Sequence, residues 1–424
     1  MSTHSLLDRK ARIEQRLFEQ NQFAIKYDLD AMQEAVELLA LPAPARHTIL
    51  VGGTNGKGST CSLVHAAALE WGLRAGLYTS PHLIDIRERV RVAGELAPLE
   101  PWVDALEDLW DRFAGRSRPS AVSRPLTYFE LVTLAAWRVF ADASLDVLVA
   151  EVGMGGRLDA TNVLPHDLRA ITGVSMDHMA FLGDRVEAIA REKVGIFRQD
   201  GANYLLEHTQ GIGALRCAVE GADVSVRWVP TAPDASPPMR NQTLARALVA
   251  GLAALRGAGE ETWEGACRRA EASARWPGRR DRRFARGRWW WLDGAHNEES
   301  LAALRAWWDE EGLARVQVVF GLSPGRDVAE VIGPLVPVVD HWWVTEARSG
   351  RAQRAEDVAA GIRSVAPGAR VSVCPVLEEA LTAAALAAAT PCAVAGSLYL
   401  LGDVLSALGF TPEDLRVWEP GERS

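Results

Sequence analysis

The sequence predicts an α/β protein of two domains, each built on a parallel-dominated sheet, and three observations lead there. At 424 residues the chain exceeds the length at which a single core usually stops growing. A short apolar strand runs directly into a glycine-rich loop and a helix over residues 48–60, TILVGGTNGKGST. After Trp276-Pro277-Gly278 the alternation of strands and helices starts afresh.

Residues 5–40 carry helical periodicity, with Leu6, Ile13, Leu17, Met32, Val36 and Leu39 as candidate buried positions, and Pro42 and Pro44 end that region. Ile49, Leu50 and Val51 then form a buried strand, and Gly52, Gly53, Gly56 and Gly58 let the backbone turn tightly and approach a ligand. Lys57 adds a compact positive charge, and Leu63, Val64, Ala67 and Trp71 follow at helical spacing. Such a loop points N–H groups and the positive end of a helix dipole at an anion. The general pattern G-x-x-x-x-G-K-[ST] fails narrowly, because Gly58 follows Lys57 and Val51 stands where the first glycine belongs. A glycine-rich turn with a surface lysine is the bland alternative, and this stretch alone does not decide between them.

Residues 75–78 read as a second strand that ends at Thr79-Ser80-Pro81-His82, where Pro81 disfavours a helix. Residues 85–95 alternate in charge and read as an exposed strand or loop, whose three arginines either serve an anionic substrate or solvate an edge. Residues 128–140 return to helical spacing, and the nearly continuous apolar run at 146–152 suits a central parallel strand. Glu151 is the anomaly in that run, since a buried carboxylate is costly unless it is paired or bound to a cation. A further strand over 169–174 ends in Ser175-Met176-Asp177-His178.

Ligands of doubly wound sheets sit at the carboxyl ends of the strands, so the loop, Glu151 and His178 would converge on one site. The plainer alternatives are an ion pair of Glu151 with Arg157, and a capping or core histidine at 178. Residues 186–197 form a helix carrying Lys193, whose plain reading is a surface ammonium near Glu192 and Asp200. A proline-rich loop at 230–238 precedes a long Ala/Leu helix over 241–255. The turn and arginine cluster at 276–283 mark the boundary, giving domains at 1–284 and 285–424. Beyond it, strands are expected at 289–292, 316–321, 341–345, 370–373 and 392–395, with helices starting near Glu298, Asp327, Arg354, Leu377 and Tyr399.

A net charge of -9, with no basic run interleaved with aromatics, argues against a nucleic-acid partner. The 15 tryptophans therefore read as core and edge packing rather than base-stacking platforms. Five scattered cysteines without a C-x-x-C pair read as reduced cytosolic thiols. The charged N-terminus lacks an apolar signal region, and the Ala-rich run at 380–395 is broken by Thr390 and Pro391, so neither secretion nor a membrane span is expected.

The motifs TNGKGST (54–60), YTSPHL (78–83), RERVRVAGE (87–95), LTYFELVTLAAWRVF (126–140), EVGMGGRLDATN (151–162), SMDHMAFLG (175–183), EKVGI (192–196), PGR (277–279), DGAHN (293–297) and GSLYL (396–400) stand in order along nearly the whole chain. In this the sequence resembles the folylpolyglutamate synthases, in bacteria usually also dihydrofolate synthases, of the Mur-ligase superfamily. GKGS is that branch's form of the phosphate loop, which accounts for Gly58.

The resemblance implies an N-terminal P-loop ATPase domain, a smaller Rossmann-like C-terminal domain, and ATP-dependent ligation of L-glutamate to dihydropteroate and reduced folates through an acyl phosphate. It implies that Thr54, Asn55, Gly56, Lys57, Gly58, Ser59 and Thr60 hold the phosphates, and that Ser80, Glu151 and His178 hold Mg²⁺, with about two ions expected. It implies that Lys193 is carbamylated, that Asn241 lies near the adenine, that Arg279 meets the phosphates, and that Asp293 and His296 face the base and ribose. Lys57, Glu151, His178 and Lys193 are the catalytic set, in a cytoplasmic monomer whose two domains close around ATP. A monofunctional folylpolyglutamate synthase and a non-ligating nucleotide-binding regulator on the same fold are the other readings. The chain departs from the family at Asp281, where an amide or glutamate is usual, and at Arg326-Asp327 in place of a lysine–aspartate pair.

Overall fold

The computed structural model describes residues 3–20, 28–114, 122–176, 182–199, 201–348, 352–387 and 390–420. The chain divides into two units, one of Met1–Ser80, Arg87–Arg275 and Val417–Ser424, the other of Pro81–Ile86 and Trp276–Arg416. The passage into the second unit thus lies after Arg275 and not after residue 284. The reason is local: residues 281–285, expected as part of a turn and basic cluster, form a strand that pairs antiparallel with 288–292.

The first unit is built on an eight-stranded sheet. Its strands are β1 (Ala45–Gly52), β2 (Ala75–Tyr78), β3 (Val90–Val92), β4 (Glu95–Leu96), β5 (Leu145–Glu151), β6 (Leu168–Ile171), β7 (Ala202–Leu206) and β8 (Arg227–Val229), in the order β4-β3-β2-β5-β1-β6-β7-β8. All neighbours are parallel except β3 against β2 and β4 against β3. The apolar runs of β1 and β5 are buried on both faces, as central parallel strands require.

Register then fixes the site. Val51 lies opposite Glu151 and Gly52 opposite Ile171, while Tyr78 is level with Ala150. Four strands therefore end at one height, and the segments that leave them meet there.

The helix Lys57–Glu70 leaves β1 and is buried along most of its length through small residues, including Gly58, Ser62, Ala66, Ala67 and Ala68. Helices Pro237–Leu255 and Glu260–Ser273 pack on it. Ile13, Leu17 and Met32 are buried as expected, whereas Leu6, Val36 and Leu39 are only half-buried. The stretch expected to be an exposed strand or loop at 85–95 is instead a 3₁₀ turn (Ile86–Arg89) and the sheet strand β3. Glu88, Arg89 and Arg91 are buried in it. The two arginines find partners within the unit: the Arg89 guanidinium lies 5.6 Å from the Tyr128 ring centre, and Arg91 Nη1 reaches the Gly94 carbonyl at 3.5 Å.

Residues 417–419 return to this unit. The Arg275 N–H donates to the Val417 carbonyl (2.9 Å), the Glu419 N–H donates to the Ser273 carbonyl (2.9 Å), and Ser62 Oγ donates to the Arg275 carbonyl (2.7 Å). Trp418 Nε1 donates to Glu70 Oε1 at 2.9 Å.

The second unit has a six-stranded sheet of β9 (Asp281–Ala285), β10 (Arg288–Leu292), β11 (Val316–Phe320), β12 (Val339–Val344), β13 (Val371–Val373) and β14 (Cys392–Ala395), in the order β13-β12-β11-β14-β10-β9. Only β9 runs antiparallel. The tryptophans pack as expected: Trp290, Trp307, Trp308 and Trp342 are core, and Trp342 meets Phe320 edge-on at 5.3 Å. Trp289 is half exposed on the hairpin, 4.7 Å from the Arg282 guanidinium. Among the described residues no helix is long and apolar enough to cross a membrane.

Two imidazoles are enclosed in the first unit. Burial, with Arg91 adding to it, pushes His65 down to about 3. Burial, with the charges of Arg169 and Arg198, pushes His166 down to about 4. Both are neutral in the folded chain and titrate near the ordinary 6.5 once unfolded, so between those values the unfolded state binds more protons. Stability is therefore fully present above about pH 6.5 and falls on acidification toward pH 4. The urea midpoint followed from pH 7 to pH 4 should drop, and His65→Phe should make the fall shallower by about one proton.

Candidate functional site

The loop after β1 is shaped by what its carbonyls do. The Gly52 carbonyl accepts from the Thr172 N–H (3.0 Å), that of Gly53 from Lys193 Nζ (2.8 Å), that of Thr54 from Lys57 Nζ (3.1 Å), and that of Asn55 from Thr172 Oγ1 (2.6 Å). The Gly56 carbonyl enters the helix by accepting the Thr60 N–H (2.9 Å). Five consecutive acceptors are thereby turned inward. An anion approaching the loop meets the helix start, where the first N–H groups have no intrahelical partner and no side chain caps them.

Glycine is required at two points. Gly53 sits at φ +138° and Gly56 at φ +87°, both in the left-handed half of backbone space. A Cβ at Gly53 would also run into the Thr172 hydroxyl, and one at Gly56 into the Asn241 amide. Asn241, on the helix Pro237–Leu255, is thus seated against the loop. Thr54 is stitched from the other side: its N–H donates to the Gly173 carbonyl (3.0 Å), and its hydroxyl accepts the Ser175 N–H (3.1 Å).

Glu151 closes β5 with 4% exposure. One of its oxygens accepts the Ser80 N–H at 3.1 Å, and the other lies 4.0 Å from Lys57 Nζ. The alternative of an Arg157 pair does not hold, since Arg157 bonds Glu192 (Nη2 to Oε1, 2.8 Å). Lys193, read plainly as a surface ammonium, is 4% exposed with its amine on the loop. Asp159, in the same motif as Glu151, is structural. It accepts the Met154 and Thr161 N–H groups (2.9 and 3.0 Å), and burial pushes its carboxyl up.

Ser80 and Glu151 offer hard oxygen donors beside a lysine. That suits a Mg²⁺-like ion that keeps several waters. No cluster of three His, Cys, Asp or Glu side chains suited to a metal occurs among the described residues, and His178 lies outside them.

In the second unit Arg279, Asp293 and His296 are brought together. Asp293 is 6% exposed, and its carboxylate accepts from Arg279 Nη1 (3.1 Å), the Arg280 N–H (2.9 Å) and the Ala295 N–H (2.9 Å). His296 Nδ1 lies 2.8 Å from the Gly294 carbonyl, which fixes the ring. The Gly294 N–H donates to the Gly278 carbonyl (2.9 Å), so the PGR turn and the DGAHN turn form one structure. Asp327, of the departing Arg326-Asp327 pair, caps a short helix by accepting the Ala329 N–H at 2.8 Å.

The sequence did not single out Thr172. Its only signal was a β-branched polar residue before Gly173 in a stretch read as one strand to 174, whereas β6 ends at Ile171.

A family model described as the dihydrofolate synthetase C-terminal domain matches residues 285–407. The dihydrofolate synthase/folylpolyglutamate synthase of Escherichia coli (strain K12) is 34% identical over 355 residues, 79% of this chain and 81% of that protein. The chain belongs to the dihydrofolate synthase/folylpolyglutamate synthase family. Family members of known structure have the same two-domain Mur-ligase-like fold. A bifunctional folylpolyglutamate synthase/dihydrofolate synthase with Mn, AMPPNP and L-glutamate bound superposes with a TM-score of 0.78 at 27% identity, covering 94% of this chain and 98% of that one. Escherichia coli FolC in complex with DHPP and ADP gives 0.78 at 27%, covering 94% and 97%.

Within this family member, the structure spends Asp293 on Arg279 and two backbone donors. Asp293→Ala leaves those donors without their acceptor, and should lower the unfolding free energy by about 2 kcal/mol in urea titration, with Asp293→Asn losing less.

Proposed function

We propose that this chain is an ATP-dependent ligase that adds L-glutamate to dihydropteroate and to reduced folates. One observation carries the reading: the loop with its carbonyls turned inward, Lys57, Glu151 and Lys193 all converge at one height of the sheet. The relatives reinforce it, one by its name as a synthase of both products and others by the ATP analogue, L-glutamate and DHPP named with them.

The reaction sets a problem of charge, because a carboxylate must approach a polyanionic triphosphate. The acceptor carboxylate oxygen attacks the γ-phosphorus and ADP leaves. The amine of L-glutamate then attacks the acyl carbon, phosphate leaves, and the amine's proton is lost as the amide forms. Residues 54–60 hold the phosphates through the loop and helix start, with Lys57 as their counter-charge. Ser80 and Glu151, with His178 by resemblance, would hold the Mg²⁺ ions, which supply charge neutralisation on the phosphate oxygens when bound. In this reading Asn241 lies near the adenine, Arg279 meets the phosphates, and Asp293 and His296 face the base and ribose. The enzyme works as a cytoplasmic monomer with about two metal ions.

Carbamylation of Lys193 is part of the proposal. Burial favours the neutral amine that captures CO₂. A carbamate nitrogen keeps one N–H, enough to go on holding the Gly53 carbonyl while the new carboxylate supplies an oxygen ligand. ¹³C-bicarbonate should give one carbamate carbon resonance in the wild type and none in Lys193→Arg; its presence in both would remove the assignment.

Purified protein given ATP, Mg²⁺ and L-glutamate should release phosphate with either dihydropteroate or tetrahydrofolate. Turnover with tetrahydrofolate alone would remove the dihydrofolate synthase half, and turnover with neither would sink the proposal. Lys57→Ala and Glu151→Ala should each lower turnover at least about a hundredfold while the protein stays folded by circular dichroism.

A further inference from the structure

We propose that Thr172 is a positioning residue for the ligation: its hydroxyl locks the phosphate loop in the form that offers N–H groups, not carbonyls, to the triphosphate. The inference rests on the ligase reading above.

Thr172 is the first residue past β6 and is 7% exposed. It is gripped from behind, where its carbonyl accepts from Thr209 Oγ1 at 2.5 Å. In front, its N–H holds the Gly52 carbonyl (3.0 Å), and its hydroxyl donates to the Asn55 carbonyl (2.6 Å), with the Gly52 carbonyl a poorer alternative at 3.3 Å. A hydroxyl has one proton, and the shorter contact takes it. One residue just past the neighbouring strand thus clamps the loop at both Gly52 and Asn55.

The clamp matters most at the peptide joining Asn55 to Gly56. Gly56 stands at φ +87°, and glycine crosses between positive and negative φ at little cost, so nothing in the local backbone prevents this peptide from turning over. If it turned over, the Gly56 N–H and the Asn55 carbonyl would exchange directions, and an acceptor would face the phosphates at the N-terminus of the helix. A favourable donor would become a repulsive dipole. The Thr172 hydroxyl, bonded to the Asn55 carbonyl, opposes this exchange. Thr172 itself faces the back of the loop, so it acts through the backbone and not on the substrate.

Thr172→Val keeps the shape and removes the donor, whereas Thr172→Ser keeps the donor. Calorimetry with Mg²⁺ and AMPPNP should show about a tenfold loss of affinity for Thr172→Val, and Thr172→Ser should stay within about twofold of wild type. The KM for ATP should rise in parallel for Thr172→Val, with the KM for L-glutamate unchanged. A merely structural role would lower the melting temperature and kcat and leave the ATP KM alone, which would overturn the proposal. Equal losses for Val and Ser would assign the effect to the γ-methyl and also overturn it. Should Thr172→Val fail to fold, the Ser-to-Ala ratio at this position is read in its place. A wild type that binds AMPPNP without ligating would end the ligase reading while the binding comparison still decides the role of Thr172; a wild type that binds none overturns both.

Discussion

A loop that receives an anion through its backbone must first dispose of its own carbonyl oxygens. Every peptide carries a donor and an acceptor at opposite ends, so presenting the donors commits the acceptors to the reverse side, where something must meet them. Here the carbonyls of Gly53, Thr54 and Asn55 are met by Lys193, Lys57 and Thr172, from the 186–194 helix, the helix start and the residue after β6. The parallel sheet makes this possible. Its register sets the ends of β1, β2, β5 and β6 at one height, so groups far apart in sequence can reach one short loop.

The same constraint explains why lysine appears twice at the loop. An ammonium donates to a carbonyl and at the same time offsets charge nearby. Lys57 does so with Glu151 4.0 Å away. Lys193 holds the Gly53 carbonyl from a buried position. A buried carboxylate and two buried or half-buried amines would be costly as separate groups. Glu151 and Lys57, side by side at the loop, offset one another, and Lys193 is satisfied by the Gly53 carbonyl.

Much of this was legible in the sequence, and the pattern of what was not is physical. The strand, glycine loop and helix of residues 48–60 could be read because each is specified by its own local residues. Glu151 could be read because a carboxylate closing an apolar run has no cheap explanation. Contacts across the sheet were not legible: nothing in Thr172 announces that it ends level with Gly53, because register is set by pairing and not by local pattern. The Arg279–Asp293 bond joins two turns that meet only because β9 and β10 form a hairpin. β9 itself escaped notice because its arginines and aspartate read as a solvated turn, and an edge strand pairs with only one neighbour. The charged stretch around Arg89 and Arg91 was misjudged for the opposite reason: its side chains carry their partners into the interior.

The return of residues 417–419 to the first unit bears on how the polypeptide is made. Val417 and Trp418 are bonded to Arg275 and Glu70, and Ser62 on the loop's own helix holds the Arg275 carbonyl. A ribosome delivers those residues only after the whole of the second unit. The first unit therefore emerges largely before the second but lacks these hydrogen bonds until the second has been made, and a fragment cut at residue 275 is a different molecule from the same stretch inside the longer chain.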